Sequence, residues 1–157
     1  MIQTWTFNET TPNAAGTVAS SKPTGGVGLP GVAAGLDEFT SLSIEANLIG
    51  ATGGTLDVFI QYNPSGDRVS WIDYAHFNQL AAGAGVLKVV ASCATGAQNL
   101  TLVTVGTNLS PLLAAGTVLG GGWGDAFRLV FVAGAGTTAG AAIQVIIAAQ
   151  RLGAWVR

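Results

Sequence analysis

The chain has 157 residues with only 6 basic and 8 acidic side chains, and its formal net charge is −2. This length fits a single domain, but a charged fraction of 9% is far below the roughly 25% of ordinary soluble domains. So few charges exclude a coiled coil and a basic nucleic-acid-binding patch, while 49% hydrophobic residues exclude charge-driven disorder.

The low charge is also the first indication of function. Few charged groups are present to keep copies of a free monomer apart, so this composition is more easily explained when much of the surface is buried in an assembly. The alternative is a small secreted domain whose surface is polar but uncharged, rich in Thr, Asn and Gln. The sequence favours the assembled protein.

Residues 1–38 differ from the rest of the chain because they contain three of the five prolines and six of the 23 glycines. This density of Pro and Gly interrupts regular elements, so the segment is predicted to be an extended arm with one possible short strand. Its apolar side chains are predicted to dock on a neighbouring subunit: Trp5, Phe7, Leu29 and Val32. A free terminal tail is the alternative. Residues 39–157 are predicted to form the folded domain.

Alternating apolar and polar residues from residue 39 onward predict a series of short strands. Segments 40–49 and 55–63 flank a Gly-rich turn and are predicted to pair as a hairpin. The remaining strands are predicted at 68–77, 86–92, 100–105, 127–132 and 141–149. Short strands separated by Gly turns predict an all-β fold, a single β-sandwich of the jelly-roll or immunoglobulin-like type.

The sequence contains few residues suited to catalysis. His76 is the only histidine, and Asp73 precedes it at an odd offset that predicts opposite faces of one strand. Cys93 is the only cysteine, has no nucleophile signature around it and cannot form an intrachain disulfide. His76 is therefore predicted to be structural and Cys93 to be a small buried thiol, and no catalytic residue is assigned.

No metal or cofactor site is predicted. One histidine and one cysteine cannot form the usual zinc tetrad, and the alternating Asp and Asn pattern of a calcium loop is missing. The Gly-rich segments 120–124 and 134–140 lack the features of phosphate-binding loops. The apolar runs are too short to predict a membrane-spanning helix, and the first residues do not resemble a secretory signal.

Two tryptophans fall outside the predicted strands. Trp123 lies in a Gly-rich loop and Trp155 lies near the end of the chain. Both are predicted to contact a partner at the surface, because aromatic side chains provide large contact areas. Their rings also suit stacking on a sugar, which makes a carbohydrate-binding β-sandwich module the alternative.

Two stretches of the sequence carry a resemblance to a known class of proteins. Residues 55–77 read as a strand, a Pro-Ser-Gly-Asp turn and an aromatic-rich strand that contains Trp71-Ile-Asp73. Residues 127–147 read as a strand, a Gly/Ala/Thr turn and a closing strand. Together they resemble the small β-sandwich virion proteins of tailed bacteriophages, especially capsid decoration (cement) proteins.

The resemblance implies a jelly-roll-like structural protein without enzymatic activity. It also implies homotrimers, made in the host cytoplasm, that bind the major capsid protein on the outer surface of the virion and reinforce the shell between capsomers. Neither nucleic acid nor a membrane is an expected partner. The long arm also suits a head-fibre or tail component. If the arm binds the capsid, deleting residues 1–35 is expected to abolish binding and leave the domain folded.

Overall fold

A computed structural model describes residues 2–10, 16–19, 24–25, 27–29, 32–36, 39, 41–49, 54–63, 66–67, 69–77, 79, 87–94, 106–119, 124–135 and 142–151. Within these segments the chain forms twelve strands and no helix. The strands form two sheets with antiparallel pairings. The two sheets pack against each other, which confirms the predicted all-β sandwich.

The two sheets differ in size. The five-stranded sheet has the order β3 (Thr24–Gly25), β1 (Ile2–Thr10), β12 (Ala142–Gln150), β6 (Ser41–Ile49) and β9 (Leu87–Ala94). The seven-stranded sheet has the order β10 (Thr117–Val118), β8 (Ile72–His76), β7 (Leu56–Asn63), β11 (Ala126–Ala133), β5 (Val32–Ala34) and β4 (Val27–Leu29). Its seventh strand, β2 (Gly16–Ala19), also pairs with β11.

The core between the sheets follows from the two-residue period of the strands. Every second side chain of a strand points to the same face, so alternating apolar residues turn one face inward. In the five-stranded sheet the buried side chains include Leu42, Ile44, Ile143, Val145 and Ile147. In the seven-stranded sheet they include Leu56, Val58, Ile60, Phe127, Leu129 and Phe131.

Strand β1, which begins the predicted arm, lies inside the five-stranded sheet between β3 and β12. Trp5 lies opposite Ile147 and Phe7 opposite Val145, and both aromatic side chains are fully buried. The Trp5 ring also packs edge-on against Phe39 at a centroid distance of 5.8 Å. Trp5 and Phe7 are two positions apart on β1, so the alternation that predicts a short strand turns both of these rings into the core.

The rest of the described arm also pairs with the sandwich, since β2 and β5 both bind β11 and β4 pairs with β5. Strands from both sides of the predicted boundary at residue 38 therefore share the same two sheets. Removing residues 1–35 takes β1 out of the five-stranded sheet and exposes the core. We therefore expect that deletion to unfold the protein, which is the reverse of the expectation from the sequence.

The predicted hairpin between residues 40–49 and 55–63 is wrong. Strand β6 lies between β12 and β9, whereas β7 lies between β8 and β11 in the opposite sheet. The chain thus crosses from one sheet to the other between these strands. Both strands have an apolar face, and alternation alone does not distinguish a neighbour in the same sheet from a neighbour across the core.

The other predicted strands agree more closely with the structure. The segments at 68–77, 86–92, 127–132 and 141–149 correspond to β8, β9, β11 and β12. Strand β8 is shorter than predicted because it begins only at Ile72, after the turn that contains Asp67. The strand predicted at 100–105 lies outside the described residues.

Replacing Trp5 by Ala is expected to lower the free energy of unfolding by about 3–5 kcal/mol, because it leaves a large cavity in a closed core. Chemical denaturation followed by tryptophan fluorescence and circular dichroism measures this change. Ile2→Ala is the matched control, since Ile2 lies on the same strand with a side chain that is 69% exposed. A Trp5→Ala variant as stable as the control would contradict the buried position of β1.

Candidate functional site

A β-bulge in strand β8 brings Asp73 and His76 to the same face of the seven-stranded sheet. Ile60 of β7 lies opposite Ala75, but the next residue, Gln61, lies opposite Asp73, so Tyr74 is the extra residue of the bulge. Tyr74 and Ala75 both belong to the core. Asp73 binds Gln61, and His76 stacks on a neighbour of β7 on the outer face. The prediction that their odd spacing separates Asp73 and His76 is therefore wrong, because a bulge resets the alternation.

Residues 106–119 pass over this outer face and end in β10, the edge strand of the same sheet, and we call this segment the cover. Its Leu113 packs with Phe59 of β7 and Val130 of β11 in a second, smaller apolar cluster. Leu119, at the end of the cover, packs against both this cluster and the main core. The seven-stranded sheet is thus buried on both faces over part of its area.

The carboxylate of Asp73 fixes the cover to the sheet. Its Oδ2 accepts hydrogen bonds from three backbone N–H groups, those of Gly106 at 2.8 Å, Leu112 at 2.8 Å and Leu113 at 3.0 Å. Its Oδ1 accepts a bond from the side-chain amide of Gln61 at 2.8 Å. Asp73 is completely buried, and a buried carboxylate is tolerated in a protein only when hydrogen bonds replace its hydration.

The polar contacts of Asp73 continue across the sheet to β11. Gln61 gives its amide N–H to Asp73 and uses its carbonyl oxygen to accept two hydrogen bonds from Arg128, from Nε at 3.0 Å and Nη2 at 2.8 Å. The guanidinium also lies over the ring of Trp71, with its Cζ 4.7 Å from the ring centroid. Burial lowers the pKa of the Arg128 guanidinium. The bond that Gln61 donates to Asp73 and the bonds that it accepts from Arg128 together fix the orientation of its amide.

His76 binds the cover from the other end of β8. Its Nδ1 lies 2.7 Å from the backbone oxygen of Leu113, and its Nε2 lies 3.1 Å from Oδ1 of Asp57. The imidazole stacks on Phe59 with a centroid distance of 3.8 Å, and Gln79 donates to the other oxygen of Asp57. Because a carbonyl oxygen only accepts, Nδ1 carries a proton in this contact. Both ring nitrogens are thus used in structural contacts.

Backbone bonds complete the attachment of the cover. The N–H of Gly116 donates to the oxygen of His76, and the N–H of Leu119 donates to the oxygen of Tyr74. At the other end, Asn108 exchanges bonds with the backbone of Trp71, through its own N–H at 3.0 Å and its Oδ1 at 3.3 Å. Asn108 has a φ of 52°, a left-handed conformation that asparagine adopts more easily than most residues.

Gly106 is required at the start of the cover by the close approach of the backbone. A Cβ atom at this position would collide with the backbone oxygen of Ser110 and the backbone nitrogen of Leu112. The tight turn lets the N–H groups of Gly106 and Leu112 point at the same oxygen of Asp73. The sequence gives no sign of this turn beyond the glycine itself.

The exposed surface of the cover carries no charge and mixes apolar with small polar side chains. Three of its large hydrophobic side chains face solvent, Leu109 at 49%, Leu112 at 64% and Val118 at 40% exposure. No Asp, Glu, Lys, Arg or His occurs among its 14 residues. Exposed apolar side chains on a charge-free segment lower the cost of burying that segment against another molecule.

The residues predicted to contact a partner lie in different places. Trp5 and Phe7 are core residues, Val32 is half-buried in β5, and Leu29 ends β4. Trp123 and Trp155 lie outside the described residues. The described structure therefore does not bring the six predicted contact residues together on one surface.

The sequence reasoning missed the cover and its exposed side chains. The residues concerned are Leu109, Leu112 and Val118, which lie in a stretch where Pro111 and Gly116 interrupt any regular alternation. One signal was present, since no charged residue occurs between Lys88 and Asp125. Asp57, the partner of His76, lies 19 positions away in the sequence, so no local motif pointed to it.

The turn before β8 is held by a second carboxylate, that of the exposed Asp67. Its oxygens accept bonds from the side chain of Asn63, from the backbone of Val69 and from the backbone and hydroxyl of Ser70. These bonds, the one from Asn63 first, hold the pKa of Asp67 well below its usual range. Such a carboxylate stabilises the fold above its ordinary pKa, and that contribution is lost as the pH falls through the lowered value.

Comparison of the chain with protein-family models and with curated proteins found no match. Within the described strands and loops, no group of three potential metal ligands occurs. No helix in that part of the chain has the length and apolar character needed to cross a membrane.

Replacing Asp73 by Asn is expected to lower the free energy of unfolding by about 1–3 kcal/mol, because one buried N–H group then faces another donor. If the oxygen of the new Asn side chain still accepts the bonds from the cover, its N–H₂ group faces the N–H₂ group of Gln61, and two donors meet. If the Gln61 amide turns around to avoid this, its N–H₂ group faces the donors of Arg128 instead. Hydrogen exchange by NMR is expected to rise first at Gly106, Leu112 and Leu113. Unchanged exchange in the cover, with β12 as the internal reference, would show that Asp73 does not fix it.

Replacing Asn63 by Ala is expected to raise the pKa of Asp67 toward its ordinary value, because the side-chain amide is the largest cause of the lowered pKa. Carboxyl-detected NMR titration measures this pKa directly. The same titration of Asn47→Ala is the control, since the Asn47 amide binds Glu45 in the other sheet. An unchanged Asp67 titration in Asn63→Ala would contradict the assigned role of Asn63.

Proposed function

We propose that this protein is a structural virion protein that binds the outer surface of a phage capsid and reinforces the shell by contacts between capsomers. The observation that carries the proposal is the cover, a charge-free segment that hydrogen bonds hold on the sandwich with apolar side chains exposed. Leu109, Leu112 and Val118 remain exposed on it, and burying such side chains against another protein is favourable.

The polar residues near the cover support a binding role rather than a catalytic one. Asp73 uses both oxygens to hold backbone and amide N–H groups, and His76 uses both nitrogens to contact Leu113 and Asp57. Both Asp73 and His76 are thereby committed to structural contacts, most of them with the cover. The result is a fixed contact surface, and a fixed surface loses little conformational freedom on binding.

The low overall charge fits the same role. With 14 charged residues in 157, the protein has little electrostatic repulsion to overcome when many copies lie side by side. On a capsid, symmetry repeats each modest contact many times, so weak contacts add up to stable attachment. We propose that the protein acts as a homotrimer, with the major capsid protein as its partner.

The test is rebinding to phage capsids from which this protein has been stripped. The wild-type protein is expected to cosediment with the capsids at a fixed stoichiometry and to raise their resistance to heat. The triple variant Leu109→Ser, Leu112→Ser, Val118→Ser is expected to lose at least about 90% of its occupancy, because it removes the apolar contact area. Ile2→Ser is the control, since Ile2 is even more exposed, at 69%, but lies on the other sheet.

Two outcomes would contradict the proposal. One is a wild-type protein that does not bind the stripped capsids. The other is a triple variant that binds as well as Ile2→Ser, because the cover would then have no part in attachment. Binding of the wild type to glycans but not to capsids would favour the carbohydrate-binding module instead.

A further inference from the structure

We propose that His76 and Asp57 form a pH-sensitive latch for the cover. The latch is closed while a proton lies between Nε2 of His76 and Oδ1 of Asp57, and loss of this proton at higher pH loosens the cover at Leu113. The inference does not rest on the proposed function, since it concerns how the cover is held and not what binds to it.

The imidazole of His76 needs two protons to make both of its polar contacts. Nδ1 lies 2.7 Å from the backbone oxygen of Leu113, and Nε2 lies 3.1 Å from Oδ1 of Asp57. Both partners are acceptors when the carboxyl group is ionised, whereas a neutral imidazole has only one N–H group to donate. The second proton belongs on Nε2, because imidazole is a stronger base than a carboxylate.

The surroundings of the ring suit an imidazolium. The His76 side chain is only 8% exposed, so its positive charge needs a neighbouring negative charge, and Asp57 provides it. The ring also stacks on Phe59 at a centroid distance of 3.8 Å, and the face of an aromatic ring attracts a cation. Gln79 donates a hydrogen bond to the other oxygen of Asp57 and thereby orients the carboxylate.

The other charged groups near the latch bind elsewhere. Asp73 lies on the same strand, but its oxygens accept bonds from Gln61 and from the cover backbone. Arg128 of β11 also binds Gln61, and the β11 residue opposite Asp57 is an uncharged valine. The cover contains no charged residue. Among the described residues, Asp57 is thus the one ion-pair partner of His76.

Loss of one proton leaves the imidazole with a single N–H group for two acceptors. A carboxylate forms the stronger, charge-assisted hydrogen bond, so the remaining proton stays on Nε2 and faces Asp57. Nδ1 then presents a lone pair to the backbone oxygen of Leu113, and this contact becomes repulsive. Raising the pH is therefore expected to loosen the cover around Leu113 first.

Nitrogen NMR spectroscopy of the imidazole ring measures its protonation directly, and His76 is the only histidine of the chain. Spectra of the wild-type protein are recorded from about pH 5 to about pH 9, a range that spans the ordinary titration of histidine. Both ring nitrogens are expected to carry protons at the acidic end, and only Nε2 at the alkaline end. A ring that keeps one protonation state throughout, or keeps its last proton on Nδ1, would overturn the latch.

The variant Asp57→Asn tests the role of the carboxylate. Its amide can donate to a neutral Nε2 of His76 and accept the bond from Gln79, so the cover stays attached without the second proton. At the alkaline end, hydrogen exchange of the Leu113 N–H is expected to be at least about tenfold slower in this variant than in the wild type at the same pH. At the acidic end the two rates are expected to agree.

Chemical denaturation at each pH gives a second measurement. The folded wild type binds one proton more than the unfolded chain, so its folding equilibrium constant is expected to fall by up to about tenfold per pH unit as the pH rises. Glu45→Gln removes a carboxylate from the five-stranded sheet, and this control is expected to show the same fall. An Asp57→Asn variant whose stability and Leu113 exchange follow those of Glu45→Gln would overturn the inference.

No capsid enters these measurements, so they are separate from the test of the proposed function. Failure of the latch leaves capsid rebinding unaffected as a test, and failure of rebinding leaves the proton count on His76 as it was measured.

Discussion

The outer surface of this protein depends on the hydrogen bonds that the buried carboxylate of Asp73 accepts. One of its oxygens accepts hydrogen bonds from three backbone N–H groups of the cover, and the other accepts one from the side-chain amide of Gln61. A loop laid over a sheet must find partners for its backbone groups, because it cannot use the regular ladder of a strand. Asp73 supplies these partners at one point, and Leu113 then packs over Phe59.

The bulge in β8 makes this arrangement possible. Without the bulge at Tyr74, the odd spacing in a regular strand would turn Asp73 and His76 to opposite faces, and one of them would point into the apolar core. With it, both side chains reach the cover, one binding the N–H of Leu113 and the other its carbonyl oxygen. A local irregularity of one residue thus determines which surface the protein presents.

The same cover explains how a sandwich with few charges displays a distinct surface. Its apolar side chains remain outside because the carboxylate, the imidazole and the turn at Gly106 fix the backbone beneath them. The opposite sheet is organised differently, with Trp5 and Phe7 of the first strand closing the core beside β12. Strands from the two ends of the described chain therefore stabilise the fold, while the exposed cover comes from residues 106–119.

The sequence by itself determined the fold class, because two-residue alternation, β-branched residues and frequent glycines permit strands and exclude helices. It also located several strands and the low charge that points to assembly. Only the tertiary structure decided that β6 and β7 lie in different sheets, that Trp5 belongs to the core and that Asp73, His76 and Asp57 meet around the cover. The physical reason is that alternation specifies which side of a strand is apolar. The choice of partner strand, the bulge and the long-range hydrogen bonds depend on how the whole chain packs.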